Sequence, residues 1–109
     1  MELSKMESSI SLHENLEVNS KNAAAVALEI KALRKDIDQI DETIGLSLAQ
    51  RHFLSQKVQL LKNKIGQNSF SPEREAQIVT RLKLLFPMIP QNSVEKIYTE
   101  IFNWMRPKP

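Results

Sequence analysis

Cysteine is absent from this chain of 109 residues, and glycine occurs only twice. The lack of cysteine excludes disulfides, zinc–thiolate sites and thiol nucleophiles. The sequence also has no run in which β-branched residues alternate with polar ones, which is the pattern of a half-buried strand. Together with the shortage of glycine for tight turns, this absence predicts an all-α fold in a single domain.

Charge of one sign and long apolar runs are lacking as well. The net charge is only +2, and basic residues are mixed with acidic ones, so a nucleic-acid interface is not indicated. No segment is long and apolar enough to span a bilayer, and the first residues lack the basic start and apolar core of a signal peptide. We therefore expect a cytoplasmic protein that binds neither nucleic acid nor membrane.

The usual signatures of enzyme sites are missing too. There is no glycine-rich phosphate loop, no serine elbow and no histidine pair at metal-ligand spacing. His52 has no partner in the sequence, and we interpret it as an ordinary surface or edge residue. The carboxylates at positions 38, 41 and 42 resemble a metal cluster by residue type. Asp38, however, follows Arg34 by four residues, which is the spacing of a salt-bridged helix face. We expect no metal and no cofactor.

The chain does contain an uninterrupted helical pattern over residues 23–65, with no proline and one glycine. Positions at alternating spacings of three and four form a seam: Ile30, Leu33, Ile37, Ile40, Ile44, Ser47, Arg51, Leu54, Val58, Leu61 and Ile65. At about 1.5 Å per residue this helix is roughly 64 Å long, so the chain cannot cover the seam alone. Residues 1–22 are polar, and we expect a flexible tail before a helical domain at residues 23–106.

Two shorter helices are predicted after the long one. Gly66 is a typical residue to end the long helix. Ser71 followed by Pro72 is a strong start for the second helix, because serine caps the first turn and proline is tolerated at its first position. Pro87 should end that helix.

The third helix is predicted from Asn92 and Glu95, whose spacing is typical of a capping box, and it continues through Met105. The predicted architecture is therefore one long helix and two short ones. An intertwined homodimer is the arrangement that covers the long apolar seam.

Arg51 interrupts this seam, and Lys62 follows eleven residues later on nearly the same helix face, about 16 Å along the axis. A cation that faces a core is costly unless it is paired. Arg51 therefore meets a carboxylate of a neighbouring helix, extends to the edge of the seam, or joins Lys62 in binding a small anion. Arg34 lies seventeen residues earlier on a different face, and it can join them only from an antiparallel copy of the helix.

Arg74 and Glu75 complete a group of charged candidates in the first turn of the second helix. The free N–H groups near Ser71 lie at the same helix start. Such a set of fixed charges suits a small polyanion that is bound without a proton shuttle or a nucleophile.

The joint spacing of these residues resembles that of the all-helical chorismate mutases. From Arg34 through Arg51, Lys62 and Arg74 to Glu75 the separations are 17, 11, 12 and 1 residues, and the resemblance covers about residues 27–102. It also includes the short segments Leu33-Arg34, Ile37-Asp38, Ile40-Asp41 and Ser71-Pro72-Glu73-Arg74-Glu75. The resemblance implies a homodimer of three-helix chains whose sites each take one arginine from the partner's long helix. It also implies an isomerase of aromatic amino acid biosynthesis that rearranges chorismate to prephenate.

The same resemblance implies roles for individual residues. The substrate-binding set is Arg34, Arg51, Lys62, Ser71, Arg74 and Glu75. Arg51 and the partner subunit's Arg34 bind the two carboxylates of chorismate, and Arg74 supports the carboxylate side. Lys62 reaches the ether oxygen, and Glu75 accepts the ring hydroxyl. Lys62, Arg51 and Glu75 are the catalytic candidates.

The sequence departs from the family pattern in two places. Ser71 stands where the family usually has aspartate, which preserves the capping role. The family's third helix is longer and carries a serine and then a glutamine or glutamate over the substrate, whereas Met105 and Pro109 occupy these places here. Pro107 also ends the helix early. Losing a donor at developing charge costs about 10²–10³-fold in rate. We therefore expect a weak enzyme, or one that a partner enzyme of the same pathway activates.

Alternatives remain open at this point. Isochorismate pyruvate-lyase and 4-amino-4-deoxychorismate mutase have the same scaffold, and residues 101–104 resemble the lyase. Glu75 favours chorismate, because an apolar residue is common at that place in these sister enzymes. A non-catalytic helical dimer derived from a mutase explains the missing donors but not the cation at Arg51. A plain coiled-coil adaptor explains neither Arg51 nor the helix start at Ser71.

Overall fold

The computed structural model describes residues 22–67 and 70–107, so the expected N-terminal tail lies outside the described residues except for its last position. Within them the chain forms three α-helices and no strand: α1 Ala23–Lys64, α2 Pro72–Leu85 and α3 Gln91–Met105. The prediction of one long and two short helices is confirmed. None of these helices combines the length and apolar composition that crossing a membrane requires, as far as the described residues extend.

The chain divides into two compact units, residues 1–44 and 45–109, with the boundary inside α1. The described part of the first unit is the first half of α1. Its apolar seam residues are all exposed, with 38% to 54% of each accessible: Ile30, Leu33, Ile37, Ile40 and Ile44. A seam that stays this exposed needs a further surface to cover it.

The end of α1 follows the prediction closely. Gly66 has φ +75°, the left-handed conformation that glycine adopts without a Cβ clash. The N–H of Gln67 donates to the carbonyl of Lys62 at 2.8 Å, and that of Gly66 donates to Asn63 at 3.2 Å. These two bonds form a Schellman motif, which satisfies carbonyls that the helix end would otherwise leave open.

The start of α2 is also as predicted. Ser71 adopts an extended conformation, and its Oγ accepts the backbone N–H of Arg74 at 3.2 Å. Pro72 is the first helical residue. At the other end, Phe86 caps the helix and Pro87 follows, so the predicted stop is confirmed.

The predicted capping box at the start of α3 is wrong. The helix begins at Gln91 with Pro90 as its cap, and no side chain bonds to the cap, so Asn92 lies inside the first turn. The carbonyl of Pro90 accepts the N–H groups of Ser93 and Val94 at 3.0 and 3.1 Å, which starts the helix without a polar cap. Glu95 instead forms an ion pair with Lys83 of α2.

In the second unit, α2 and α3 pack against each other. Val94 and Phe102, both on α3, are the buried apolar residues among those described. The ring of Phe102 makes an edge contact with that of Tyr98. On the side of α1, Trp104 stacks on His52 with ring centroids 5.1 Å apart. Helix α3 is therefore the element around which this unit packs.

Candidate functional site

A pocket of about 330 Å³ opens in the second unit. Five residues of the predicted substrate-binding set line it: Arg51, Lys62, Ser71, Arg74 and Glu75. Apolar side chains fill the spaces between them, among them Leu54, Val58 and Ile78. The structure thus brings together charged residues that lie up to 24 positions apart in the sequence.

Local helix geometry places these charges. Arg51 and Lys62 lie nearly three whole turns apart on α1, so both point from one face. The Schellman motif at Gly66 and the Ser71 cap then set where α2 begins. Because the N-terminus of a helix carries partial positive charge and unpaired N–H groups, this corner of the pocket is electropositive.

Arg51 is half-buried and has an unusual environment. Its Nη1 lies 3.0 Å from Sδ of Met105, and its guanidinium carbon lies 5.6 Å from the centre of the Phe102 ring. It forms no ion pair with any residue that the structure describes. A thioether and an aromatic face attract a cation only weakly compared with a carboxylate. The positive charge of Arg51 therefore remains available to an anion.

Glu75 is held by a residue that the sequence did not single out. Nη2 of Arg106 donates to Oε1 of Glu75 at 2.6 Å, and Nε donates to Oε2 at 2.9 Å. This is a bidentate pair, the strongest geometry for an arginine and a carboxylate. The hydrogen bond to Glu75 is the main reason that the pKa of Arg106 lies above its ordinary value. The carboxylate of Glu75 thus stabilises the charged form of the guanidinium.

The signal that could have revealed Arg106 is the proline after it. A residue before proline is pushed out of the helical conformation, and Arg106 has φ −63° and ψ 149°. Its backbone N–H still bonds to the carbonyl of Phe102, so it caps α3 while its side chain lies in the pocket. The sequence pattern at Pro107 predicts only the end of a helix, whereas in the structure this proline also restricts the backbone of Arg106 before it.

Arg34 does not line this pocket within its own chain. It lies in the other compact unit and borders a separate depression with neighbours from its own helix, including Ala27, Lys31 and Asp38. This placement agrees with the expectation that Arg34 does not join Arg51 and Lys62 of the same helix.

His52, interpreted from the sequence as an ordinary surface or edge residue, has a packing partner that the sequence did not reveal. It is half-buried and stacked on Trp104, with an interplanar angle of 20°. Its Nδ1 is buried and has no hydrogen-bond partner among the described residues. His52 is not among the residues that line the pocket, so it contributes packing to the unit and not charge to the site.

The described residues form an all-α fold in which the cations Arg51, Lys62 and Arg74 line one small concave site together with Glu75. Residues 33–108 match the family chorismate mutase type II, and the chain belongs to this family. The resemblance inferred from the spacing of the charged residues is confirmed.

Two curated relatives illustrate the similarity. The bifunctional chorismate mutase/prephenate dehydratase of Aquifex aeolicus is 35% identical over 80 residues, which is 69% of this chain and 22% of that protein. The chorismate mutase of Methanocaldococcus jannaschii is 37% identical over 57 residues, covering 52% of this chain and 58% of that protein. The chain therefore spans about a fifth of the first relative and somewhat over half of the second. No solved structure matches it at a significant level.

Proposed function

We propose that the chain is a chorismate mutase, which rearranges chorismate to prephenate. The observation that carries the proposal is the pocket in which Arg51, Lys62, Arg74 and Glu75 face the same space. The reaction is intramolecular, so it needs a held conformation and stabilised charge but no external nucleophile, general base or cofactor. The chemistry of the lining residues is suited to those two tasks.

The proposed roles follow the chemistry of each group. Arg51 binds a carboxylate of the substrate, with Arg74 supporting the carboxylate side from the start of α2. Lys62 stabilises the ether oxygen, where negative charge develops as the carbon–oxygen bond breaks. Glu75 accepts a hydrogen bond from the ring hydroxyl. Holding the side chain of chorismate in its folded, reactive conformer removes the entropy cost of reaching that conformer during the reaction.

We further infer a homodimer in which a second copy of the chain supplies Arg34 to each site. The exposed seam of α1 supports this, because no other described part of the chain covers five large apolar residues in its first half. The placement of Arg34 outside the pocket of its own chain supports it as well. A dimer that forms through α1 would cover the exposed seam and would also bring Arg34 of one chain to the pocket of the other.

The C-terminal end of the site supports low intrinsic activity or activation by a partner. Met105 lines the pocket at the place where a serine donor is expected, and α3 ends there. We propose that a partner enzyme of the same pathway covers this end and raises the rate. The Aquifex aeolicus relative carries chorismate mutase and prephenate dehydratase in one chain.

The proposal is tested by following the loss of chorismate absorbance with purified protein. Wild type is expected to form prephenate. Arg51→Ala and Lys62→Ala are each expected to lower kcat/KM by about 10²–10³-fold, because each removes a charge that faces the reacting substrate. Arg81→Ala and Lys57→Ala are the matched controls, since both residues are exposed and neither lines the pocket.

Two results would contradict this proposal. Unchanged rates in the Arg51 and Lys62 variants would place the reaction elsewhere on the chain. If wild type does not convert chorismate, the proposed mutase activity is wrong. Isochorismate and 4-amino-4-deoxychorismate would then be assayed in the same way. A lack of activity on all three substrates would favour a non-catalytic helical protein.

A further inference from the structure

The last turn of α3 and the residue after it bring a cation into the pocket that no part of the proposed mechanism uses. Arg106 lines the pocket and donates from two nitrogens to both oxygens of Glu75. We propose that Arg106 is a positioning residue that fixes the Glu75 carboxylate for the ring hydroxyl of the substrate. This inference rests on the proposed function and adds a residue to the same site.

The pair leaves Glu75 able to accept the substrate. An ionised carboxylate offers about four lone-pair sites, and a bidentate arginine uses two of them. The remaining sites stay open to a hydroxyl, while the two bonds to Arg106 remove the free rotation of the Glu75 side chain. A carboxylate held in one orientation loses less conformational entropy when the substrate binds.

Arg106 is itself held from several directions. Its guanidinium carbon lies 4.3 Å from the centre of the Phe70 ring, and Nη1 donates to Oδ1 of Asn103 at 3.0 Å. Pro107 restricts its backbone to the extended conformation. Each of its three guanidinium nitrogens donates to a described residue: Nε and Nη2 to Glu75, and Nη1 to Asn103. These contacts hold Arg106 in one orientation, although 35% of its side chain remains exposed.

The charge balance of the site gives a second argument. Among the described residues that line the pocket, Glu75 is the only acidic one, and its side chain is 18% exposed. An unpaired carboxylate at this depth would repel the carboxylates of the substrate. Pairing it with Arg106 offsets this negative charge, so that Arg51 and Arg74 act on a dianion without a competing carboxylate, as electrostatic complementarity requires.

A double-mutant cycle on the full chain tests the role: wild type, Arg106→Ala, Glu75→Gln and the variant with both changes, each assayed on chorismate. Arg106→Ala is expected to raise KM about tenfold, the size of coupling that neighbouring residues show. Its kcat should change less than its KM, because the ring hydroxyl that Glu75 accepts takes no part in bond breaking. In the Glu75→Gln background the further effect of Arg106→Ala should be less than about twofold.

Two more variants distinguish the proposed positioning of Glu75 by Arg106 from a simple effect of charge and from a general effect on the structure. Arg106→Lys keeps the charge but cannot bond to both oxygens, so its KM should lie between those of wild type and Arg106→Ala. Arg81→Ala removes an exposed arginine of α2 outside the pocket and should behave as wild type. If Arg106→Ala does not fold, as judged by circular dichroism, Arg106→Lys replaces it in the cycle.

Each outcome decides the question. Additive effects of the two substitutions would overturn the positioning role, because Arg106 would then act independently of Glu75. A higher kcat/KM in Arg106→Ala would overturn it too, since Arg106 would be an obstruction. In both cases an active wild type leaves the mutase proposal intact. An inactive wild type, by contrast, removes the proposed function and this role together.

Discussion

At the scale of single residues, Met105 has the most unexpected surroundings. Its sulfur lies 3.0 Å from Nη1 of Arg51 and 4.0 Å from Oγ of Ser55, at the place where a serine donor is expected in this family. A thioether is a weak acceptor and donates nothing. The side chain therefore packs the pocket wall without stabilising negative charge on a substrate.

Met105→Ser is expected to raise kcat on chorismate by about tenfold, less than the 10²–10³ of an optimally placed donor, because it adds a hydroxyl near the reacting atoms. The same change should lower the free energy of unfolding by about 1–2 kcal/mol, since it removes half-buried apolar surface. Turnover and urea denaturation measure the two effects separately.

Met105→Leu is the matched control for this substitution. It conserves volume and adds no donor, so both kcat and stability should stay close to wild type. A gain in kcat with leucine equal to that with serine would show that the sulfur hinders the site and that the hydroxyl is irrelevant.

At the scale of elements, the connection between α1 and α2 sets the geometry of the site. Gly66 ends α1 in the left-handed conformation, and Ser71 starts α2 through its side-chain cap. Lys62 lies in the last turn of one helix and Arg74 in the first turn of the next. Any change in how these helices end and begin therefore moves two of the proposed substrate ligands relative to each other.

Replacing each of the two glycines of the chain by alanine should change the stability of the protein in opposite directions. Gly66→Ala should destabilise the protein by about 1–2 kcal/mol, because a Cβ disfavours a positive φ. Gly45→Ala should stabilise it by about 0.5–1 kcal/mol, because Gly45 lies inside α1 and alanine is the better helix former. A Cβ at either position meets no atom within 4 Å, so backbone conformation alone decides the sign.

Urea unfolding of both variants beside wild type measures these differences. Stabilisation by Gly66→Ala would show that the left-handed helix end does not form in solution. Destabilisation by Gly45→Ala would show that another surface packs closely on α1 at this position.

At the scale of the whole molecule, the described residues of one chain bury too little apolar surface to account for a stable fold by themselves. Val94 and Phe102 are the buried apolar residues among those described, whereas most large apolar side chains of α1 are exposed. Ordering the backbone costs about 1–2 kcal/mol per residue, which this burial cannot offset. Association through the α1 seam, as in the proposed homodimer, would supply the missing burial.

Intersubunit complementation tests the dimer and the role of Arg34 together. Arg34→Ala and Arg51→Ala should each be almost inactive as homodimers. After the two are unfolded together and refolded, heterodimers have one site with both defects and one intact site. A statistical mixture should then regain about a quarter of the wild-type activity.

The matched control mixes Arg51→Ala with Lys62→Ala. Each site takes both residues from one chain, so these heterodimers contain no intact site and should stay inactive. Recovery in this control, or its absence in the first mixture, would contradict the proposed sharing of sites between subunits.

The sequence by itself determined the helical class, the end of α1, the start and end of α2 and most of the charged residues that line the pocket, Arg106 excepted. These features depend on signals within a few residues: the glycine at 66, the serine–proline pair at 71 and 72, and whole-turn spacing along α1. Bonds of this kind join residues close in sequence, which is why a pattern can predict them where no tertiary contact competes.

Only the tertiary structure decided which side chains complete the site. Arg106 bonds to Glu75 across 31 positions and Arg51 contacts Met105 across 54. Glu95 pairs with Lys83 of α2 instead of capping its own helix, which is why the predicted capping box was wrong. No periodicity encodes such contacts, because they depend on how α3 packs against α1 and α2. The physical reason is that helix signals act along the chain, whereas the pocket is assembled by packing across it.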